Sequence, residues 1–215
     1  MLEISGISKA FGTVVAIRDL SLTVADQDRI AITGPSGSGK TTLLRIIAGL
    51  EIPDGGKIAI GGKIANDPGI RIPPSGRGIG FVFQTAALWP HMTVRENIRF
   101  ALHDRPSGDA ERRTSALLDR MSASHLRDRY PSQISGGEAR RVSIARALAA
   151  EPPLLLFDEP LTNLDDDLRQ DLLALIDENV RLSRAGMIFV THNRSEAEQI
   201  AGTVLKFRNG EIVRS

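Results

Sequence analysis

The residues Gly34-Pro35-Ser36-Gly37-Ser38-Gly39-Lys40-Thr41 match the pattern G-x-x-x-x-G-K-[ST] at every fixed position. Their chemistry is anion binding. Glycines let the backbone curl until several N–H groups converge, and the helix that follows adds the positive end of its dipole. Lys40 has the reach to meet outer phosphates, and the Thr41 hydroxyl can ligate Mg²⁺. Thr42 continues the same loop into the helix. A glycine-rich turn before an ordinary helix is the plainer reading, and context weighs against it. The run Ile30-Ala31-Ile32 reads as a buried strand before the motif, and Thr42-Leu43-Leu44-Arg45-Ile46-Ile47-Ala48 reads as a helix after it.

Two further clusters carry polar chemistry. Leu154-Leu155-Leu156-Phe157 is wholly apolar and ends in Asp158-Glu159-Pro160. A buried strand there delivers its acid to the C-terminal edge of a sheet, where α/β sheets bind ligands. Asp158 can hold Mg²⁺, directly or through water, and Glu159 can take a proton from an attacking water. By themselves the two acids could equally cap a helix; the loop upstream favours the metal and the base. Ser135-Gly136-Gly137-Glu138 has the form of a capping box and also makes a second anion nest. One nucleotide rarely needs two nests from one chain, so the pair implies phosphate gripped from two sides.

The elements that must position these groups follow from periodicity. Residues 2–7, 20–24 and 29–33 are β-like, and the helix after the loop ends near Gly49. Pro53-Asp54-Gly55-Gly56 is a turn before a strand at 57–60, and a strand at 79–83 ends at Gln84. From Thr93-Val94-Arg95-Glu96, another capping box, the pattern turns helical, with helices expected over 108–129 and 135–150. Leu168, Leu172, Leu173, Leu175, Ile176 and Val180 then line one side of a helix. A buried strand at 187–190, a helix at 193–201 and a hairpin around Asn209-Gly210 complete the chain. The pattern is α/β at both ends with an α-rich block between.

Composition narrows the classes. Across 215 residues, 41% are hydrophobic, enough for a core, and the net charge of +1 gives no case for nucleic acid. Zero cysteines exclude disulfides and thiolate metal sites. No basic segment leads into a long apolar one at the start, so no signal peptide is expected. No apolar run approaches bilayer length, so any channel has to come from another chain.

In this order and spacing the motifs resemble the nucleotide-binding subunit of an ATP-binding cassette (ABC) transporter, over nearly the whole chain. The family signature LSGGQ stands here as Ile134-Ser135-Gly136-Gly137-Glu138, led in by Arg129-Tyr130-Pro131-Ser132-Gln133. The resemblance implies an α/β P-loop NTPase fold in one domain, 1–215. Its nucleotide-binding core comprises 1–84 and 151–215, with an N-terminal antiparallel β part. A helical insertion at 85–150 carries the signature.

The resemblance also assigns roles. Gln84 would touch Mg²⁺ or the attacking water, although a polar strand end is its plain reading. Asn163-Leu164-Asp165 would be the loop crossing between subunits; by sequence alone Asp165 is a helix cap. His192 would contact the γ-phosphate, and Asn193 stands where aspartate is frequent. Phe11 would stack on adenine, or serve the core. The strip Leu88-Trp89-Pro90-His91-Met92-Thr93-Val94-Arg95-Glu96-Asn97 would meet the membrane subunit, with Trp89 either anchor or core.

The implied function is an ATPase powering solute transport from the cytoplasmic face of the cell membrane, as a peripheral protein. Two copies would meet head to tail around two ATPs, with Mg²⁺, transmembrane permease subunits and a solute-binding protein as further partners. The strip at 88–97 resembles importers of polyamines, oxyanions or ferric iron more than exporters. An exporter or lipoprotein-release ATPase, or a non-transport P-loop ATPase, is the alternative. The guanine motif N-K-x-D of GTPases is absent. The end of the chain soon after the Asn209-Gly210 hairpin is expected to leave no room for a C-terminal regulatory β-domain.

Overall fold

A computed structural model describes residues 1–213. Alternation along the strands organises the molecule. β3 (Arg29–Thr33), β7 (Ile79–Val82), β8 (Leu154–Asp158), β9 (Gly186–Thr191), β10 (Thr203–Arg208) and β11 (Glu211–Val213) form a six-stranded sheet in the order β11-β10-β3-β9-β8-β7. All its pairings are parallel except the β10–β11 hairpin. Every residue of β8 and β9 is buried, as strands covered on both faces require. Successive side chains serve opposite cores. Leu154, Leu156, Ile188 and Val190 pack with the helix α1 (Lys40–Ala48), whereas Leu155, Phe157, Met187 and Phe189 pack with the later helices.

A second sheet covers the α1 side. It is five-stranded and antiparallel, in the order β2-β1-β4-β5-β6. β1 (Leu2–Phe11) and β2 (Val14–Val24) run longer than the expected 2–7 and 20–24. Register shifts along their pairing break the alternation, so periodicity detects only the regular parts. β4 (Gly55–Ile60) takes in the expected 57–60 but starts at Gly55, inside the expected turn, and β5 (Lys63–Asp67) and β6 (Ile70–Arg71) were not anticipated. Those edge strands bury only Ala65 and Asn66 and so lack an apolar signature.

The helices start on their caps. α2 (Val94–Arg99) begins at the Thr93/Glu96 capping box and α4 (Gly136–Ala149) at the Ser135/Glu138 box. α5 (Asp166–Ser183) and α6 (Arg194–Ile200) begin after Asp165 and Asn193. α3 (Ser107–Arg120) stops well short of the expected 129. Ser122 turns left-handed at φ 53°, and the Ala123 and Ser122 amides donate to the Leu118 and Asp119 carbonyls at 2.8 and 3.0 Å. That closing pattern ends a helix without glycine. α4 is buried on nearly every side and shares one core with α2, α3, α5 and the sheet.

The far end of α1 is held by a buried cation. Arg77 is 6% exposed. Its Nη1 donates to the Ile46 and Ile47 carbonyls at 3.0 and 2.8 Å, and its Nε to Ile72 O at 2.9 Å. Burial pulls its pKa down, and the negative end of the α1 dipole offsets part of that cost. Arg77→Gln should lower stability in urea unfolding by about 2–3 kcal/mol, because charged hydrogen bonds are lost and buried carbonyls are left unpaired. A loss below about 0.5 kcal/mol, within the range of ordinary surface changes, would show that the clamp is dispensable.

Candidate active site

β3 ends at the phosphate-loop motif, on the C-terminal edge of the parallel strands. The loop closes against β2. Gly39 has φ 107°, and a Cβ there would lie 2.2 Å from the Ala16 carbonyl oxygen, so only glycine fits. Lys40, 4% exposed, folds back into its own loop and donates to the Gly34 and Pro35 carbonyls at 2.9 and 2.8 Å. Its ammonium lies 3.9 Å from Glu159 Oε1. Burial lowers the Lys40 pKa, against the pull of the Glu159 and Asp158 charges. The Ser38 hydroxyl is buried in the loop with no partner among the described residues.

β8 carries Asp158 to the same edge. The carboxylate is 4% exposed and accepts the Thr41 hydroxyl at 2.9 Å. Desolvation raises its pKa; the Thr41 bond opposes this, and the neighbouring Glu159 charge adds to it. Glu159 follows in a left-handed conformation, φ 45°, with its amide on Val190 O at 3.0 Å. Such a backbone is costly for a non-glycine residue and aims the side chain off the strand direction. Its Oε2 lies 3.4 Å from His192 Nδ1 and 3.3 Å from the Thr162 hydroxyl.

Between these groups lies an open cavity of about 310 Å³. The phosphate loop, Thr41, Thr42, Gln84 and Glu159 line it, with Val14 and Ala16 from β2. Phe11 does not line it; it stands half-exposed at the end of β1, paired with Val14, which does. The Lys9 ammonium sits 5.1 Å from the Phe11 ring centre. Lys40, Thr41, Thr42, Gln84 and Glu159 thus face one space, and Asp158 is tied to it through Thr41.

The segment after β7 is held from α4. Arg140, 7% exposed, donates to Phe83 O at 3.0 Å, and Arg146 donates to Ala87 O and Ala86 O at 2.8 and 3.3 Å. Gln84 is exposed between these grips. Trp89 is half-buried, between the Phe100 ring at 5.2 Å and the Arg146 guanidinium at 4.8 Å. Asn97 is fully buried and fixes the turn before α2. Its Oδ1 accepts the Trp89 amide at 2.8 Å, and its Nδ2 donates to the Met92 and Thr93 carbonyls at 3.1 and 3.0 Å. Sequence reading missed Asn97, Arg140 and Arg146 as clamps. The available signal for the arginines was three of them, Arg140, Arg141 and Arg146, in a helix whose other residues are mostly small or apolar.

The remaining candidates lie outside the cavity lining. Ser135 caps α4. Its amide and hydroxyl both donate to Glu138 Oε2, at 2.7 and 2.8 Å, and these bonds hold the Glu138 pKa down. Ser135 and Gly136 are exposed, whereas Gly137 is buried. A Cβ on Gly137 would lie 2.6 Å from Leu168, so this glycine lets α4 rest on α5. Asp165 caps α5 by accepting the Leu168 amide at 2.9 Å. Asn193 caps α6, accepting from the Ser195 amide at 2.9 Å, so the departure from aspartate leaves capping intact. His192 is exposed except where it meets Glu159.

Known proteins resemble this chain in sequence and in fold. The ABC transporter family model matches residues 17–162. A sulfate/thiosulfate import ATP-binding protein of Thermosynechococcus vestitus is 43% identical over 98% of this chain, and one of Synechocystis sp. is 45% identical over 97%. The chain spans 62% and 58% of those relatives' lengths. Among solved structures, a dimeric ATP-binding cassette in a post-hydrolysis state, bound to ADP and Pi, superposes with a TM-score of 0.87 at 28% identity. That match covers 100% of this chain and 97% of the other. A dimeric bacterial ABC transporter cassette matches with a TM-score of 0.86 at the same identity and coverage. With family model, relatives and fold in agreement, the chain belongs to the ABC transporter family, as an ATP-binding cassette.

Proposed function

We propose that this chain binds ATP with Mg²⁺ and hydrolyses it to drive solute import through separate transmembrane subunits. One observation carries the reading: Lys40, Thr41, Gln84 and Glu159 line one cavity beside a glycine-rich loop, with Asp158 bonded to Thr41. On binding, Lys40 exchanges the Gly34 and Pro35 carbonyls for phosphate oxygens. Asp158, Thr41 and Gln84 would hold the metal. One buried carboxylate with a hydroxyl and an amide suits Mg²⁺, which keeps phosphate oxygens and waters as its other ligands. When bound, Mg²⁺ neutralises charge on the phosphates. Glu159 takes the proton of the attacking water, held in place by His192 and Thr162.

A second copy completes the site. The exposed nest at Ser135-Gly136 lies off the chain's own phosphate cavity, which suits an ATP held by a partner. The dimeric cassettes of like fold support this assembly. No helix among the described residues is long and apolar enough to cross a membrane, which agrees with a peripheral subunit on the cytoplasmic face. The relatives' names support a sulfate-like oxyanion as cargo.

Lys40→Ala and Glu159→Gln test the reading together. The lysine variant should lose ATP affinity in a titration. The glutamine variant should bind like the parent but turn over about 10²–10⁴-fold more slowly. Parent-like turnover by Glu159→Gln would remove the base.

Asp158→Asn separates metal binding from stability. A raised carboxyl pKa means that the fold disfavours the charged form. That penalty is absent below the unfolded value of 3.8 and complete above the folded pKa. The nucleotide-free variant should therefore resist denaturant better than the parent at neutral pH, lose that advantage in acid, and gain less protection from Mg²⁺-ATP. A variant less stable at neutral pH would mean that the Thr41 contact outweighs burial.

Trp89→Ala should keep basal turnover and lose about 1–2 kcal/mol of stability, the value of one aromatic stack and one cation–π contact. Binding to the co-expressed membrane subunits should weaken by about 2 kcal/mol or more. Undiminished association in a pull-down titration would move the docking surface away from the strip at 88–97.

A further inference from the structure

Two segments flank the candidate base without lining the cavity: Thr191-His192-Asn193 before α6 and Asn163-Leu164-Asp165 before α5. One ion pair joins the first turns of the two helices, Arg169 Nε lying 3.5 Å from Glu196 Oε1. Glu196 is 6% exposed, so its charge needs partners. Its other oxygen accepts the Thr191 hydroxyl at 2.5 Å, and the Thr191 oxygen accepts the Asn193 amide at 3.0 Å. The residues on both sides of His192 are thereby fixed. In the other direction Arg169 Nη2 donates to the Leu164 carbonyl at 2.7 Å, and Nη1 bonds the Asp166 carboxylate.

We infer that Glu196 and Arg169 are positioning residues that tie the His192 loop to the 163–165 segment, so that a displacement of one is transmitted to the other. The inference rests on the ATPase reading above. A brace between two helices would need only apolar contact between their bodies. Here the polar chain ends on loop backbone at both sides, the Asn193 amide and the Leu164 carbonyl. Hydrogen bonds in such a chain reinforce one another, and a buried carboxylate cannot lose its cation without cost. His192 in turn stands 3.4 Å from Glu159, so the chain reaches the group proposed to take the proton. Asp165 caps α5 four residues before Arg169, which places the subunit-facing segment on the same grip.

A double-mutant cycle of Glu196→Gln and Arg169→Gln tests this. Glutamine at 196 keeps an acceptor for Thr191 and removes the charge that holds Arg169. Each single variant should lower kcat about tenfold with ATP affinity nearly unchanged, and the double variant should be no slower than the slower single. A lower melting temperature with unchanged kcat would overturn the coupling and leave a structural brace. Additive losses would overturn it as well. If Glu196→Gln fails to fold, Arg169→Gln decides by the same split, since a quarter of its side chain is in solvent. Amide hydrogen exchange in the nucleotide-free chain reads the coupling without turnover. Arg169→Gln should speed exchange at 191–193, and Glu196→Gln at 163–166. Exchange unchanged on the far side overturns the inference. Crossed exchange effects in a parent that does not hydrolyse ATP overturn the ATPase reading and leave the coupling standing.

Discussion

The burial of charge at one sheet edge constrains everything else in this protein. Lys40 and Asp158 are each nearly sealed from water, and Glu159 is largely so. The fold leaves their mutual compensation incomplete. Asp158 meets a hydroxyl rather than a cation, and Lys40 meets carbonyls, with Glu159 only at 3.9 Å. A scaffold that tolerates such groups must be rigid, because a loose one would let them reach water. Two hydrophobic cores on opposite faces of the same strands supply that rigidity. Strict alternation along β8 and β9 makes both cores from a few consecutive residues.

The loops around this edge, and the far end of α1, are held by arginines donating to backbone carbonyls. Arg77 grips the end of α1, Arg140 and Arg146 grip the segment around Gln84, and Arg169 grips Leu164. The guanidinium fork suits this task, since several fixed donors can meet carbonyls from two turns at once. Lysine offers a point charge and would not define the direction of the loop. The candidate site therefore sits among segments whose backbones are fixed from behind, while the faces toward the cavity stay open.

Much of the site was legible from residue order. The phosphate-loop pattern, the apolar run into Asp158-Glu159 and the Thr93 and Ser135 capping boxes each encode geometry within a few residues, and local geometry is what spacing reports. The central strands were legible for the same reason. The bulged halves of β1 and β2 were not, because each bulge resets the alternation. The end of α3 was hidden because Ser122 takes a left-handed turn that a glycine would have announced. Arg77, Asn97 and the Arg169–Glu196 pair were illegible in a stronger sense. Their partners lie far off in the chain or on backbone atoms, which every residue carries alike.

That difference has a chemical consequence. A carbonyl accepts from arginine without neutralising it, so the grips of Arg77, Arg140 and Arg146 draw on no carboxylate among the described contacts. Asp158 and Glu159 are thus left without an arginine partner among the described contacts. Had Arg140 or Arg146 been paired to either acid, the loop would be anchored, but the acid would be locked as an anion with its lone pairs engaged. Instead the desolvated Asp158 keeps an unmet demand for positive charge, which a metal ion can satisfy. Among the described residues, Glu159 bonds or pairs with Lys40, His192 and Thr162 at 3.3–3.9 Å, distances that leave its oxygens able to bond a water. Fixing loops through carbonyls and leaving the acids undercompensated are therefore one arrangement. The same choice makes the chain rigid where it must position groups and reactive where it must bind.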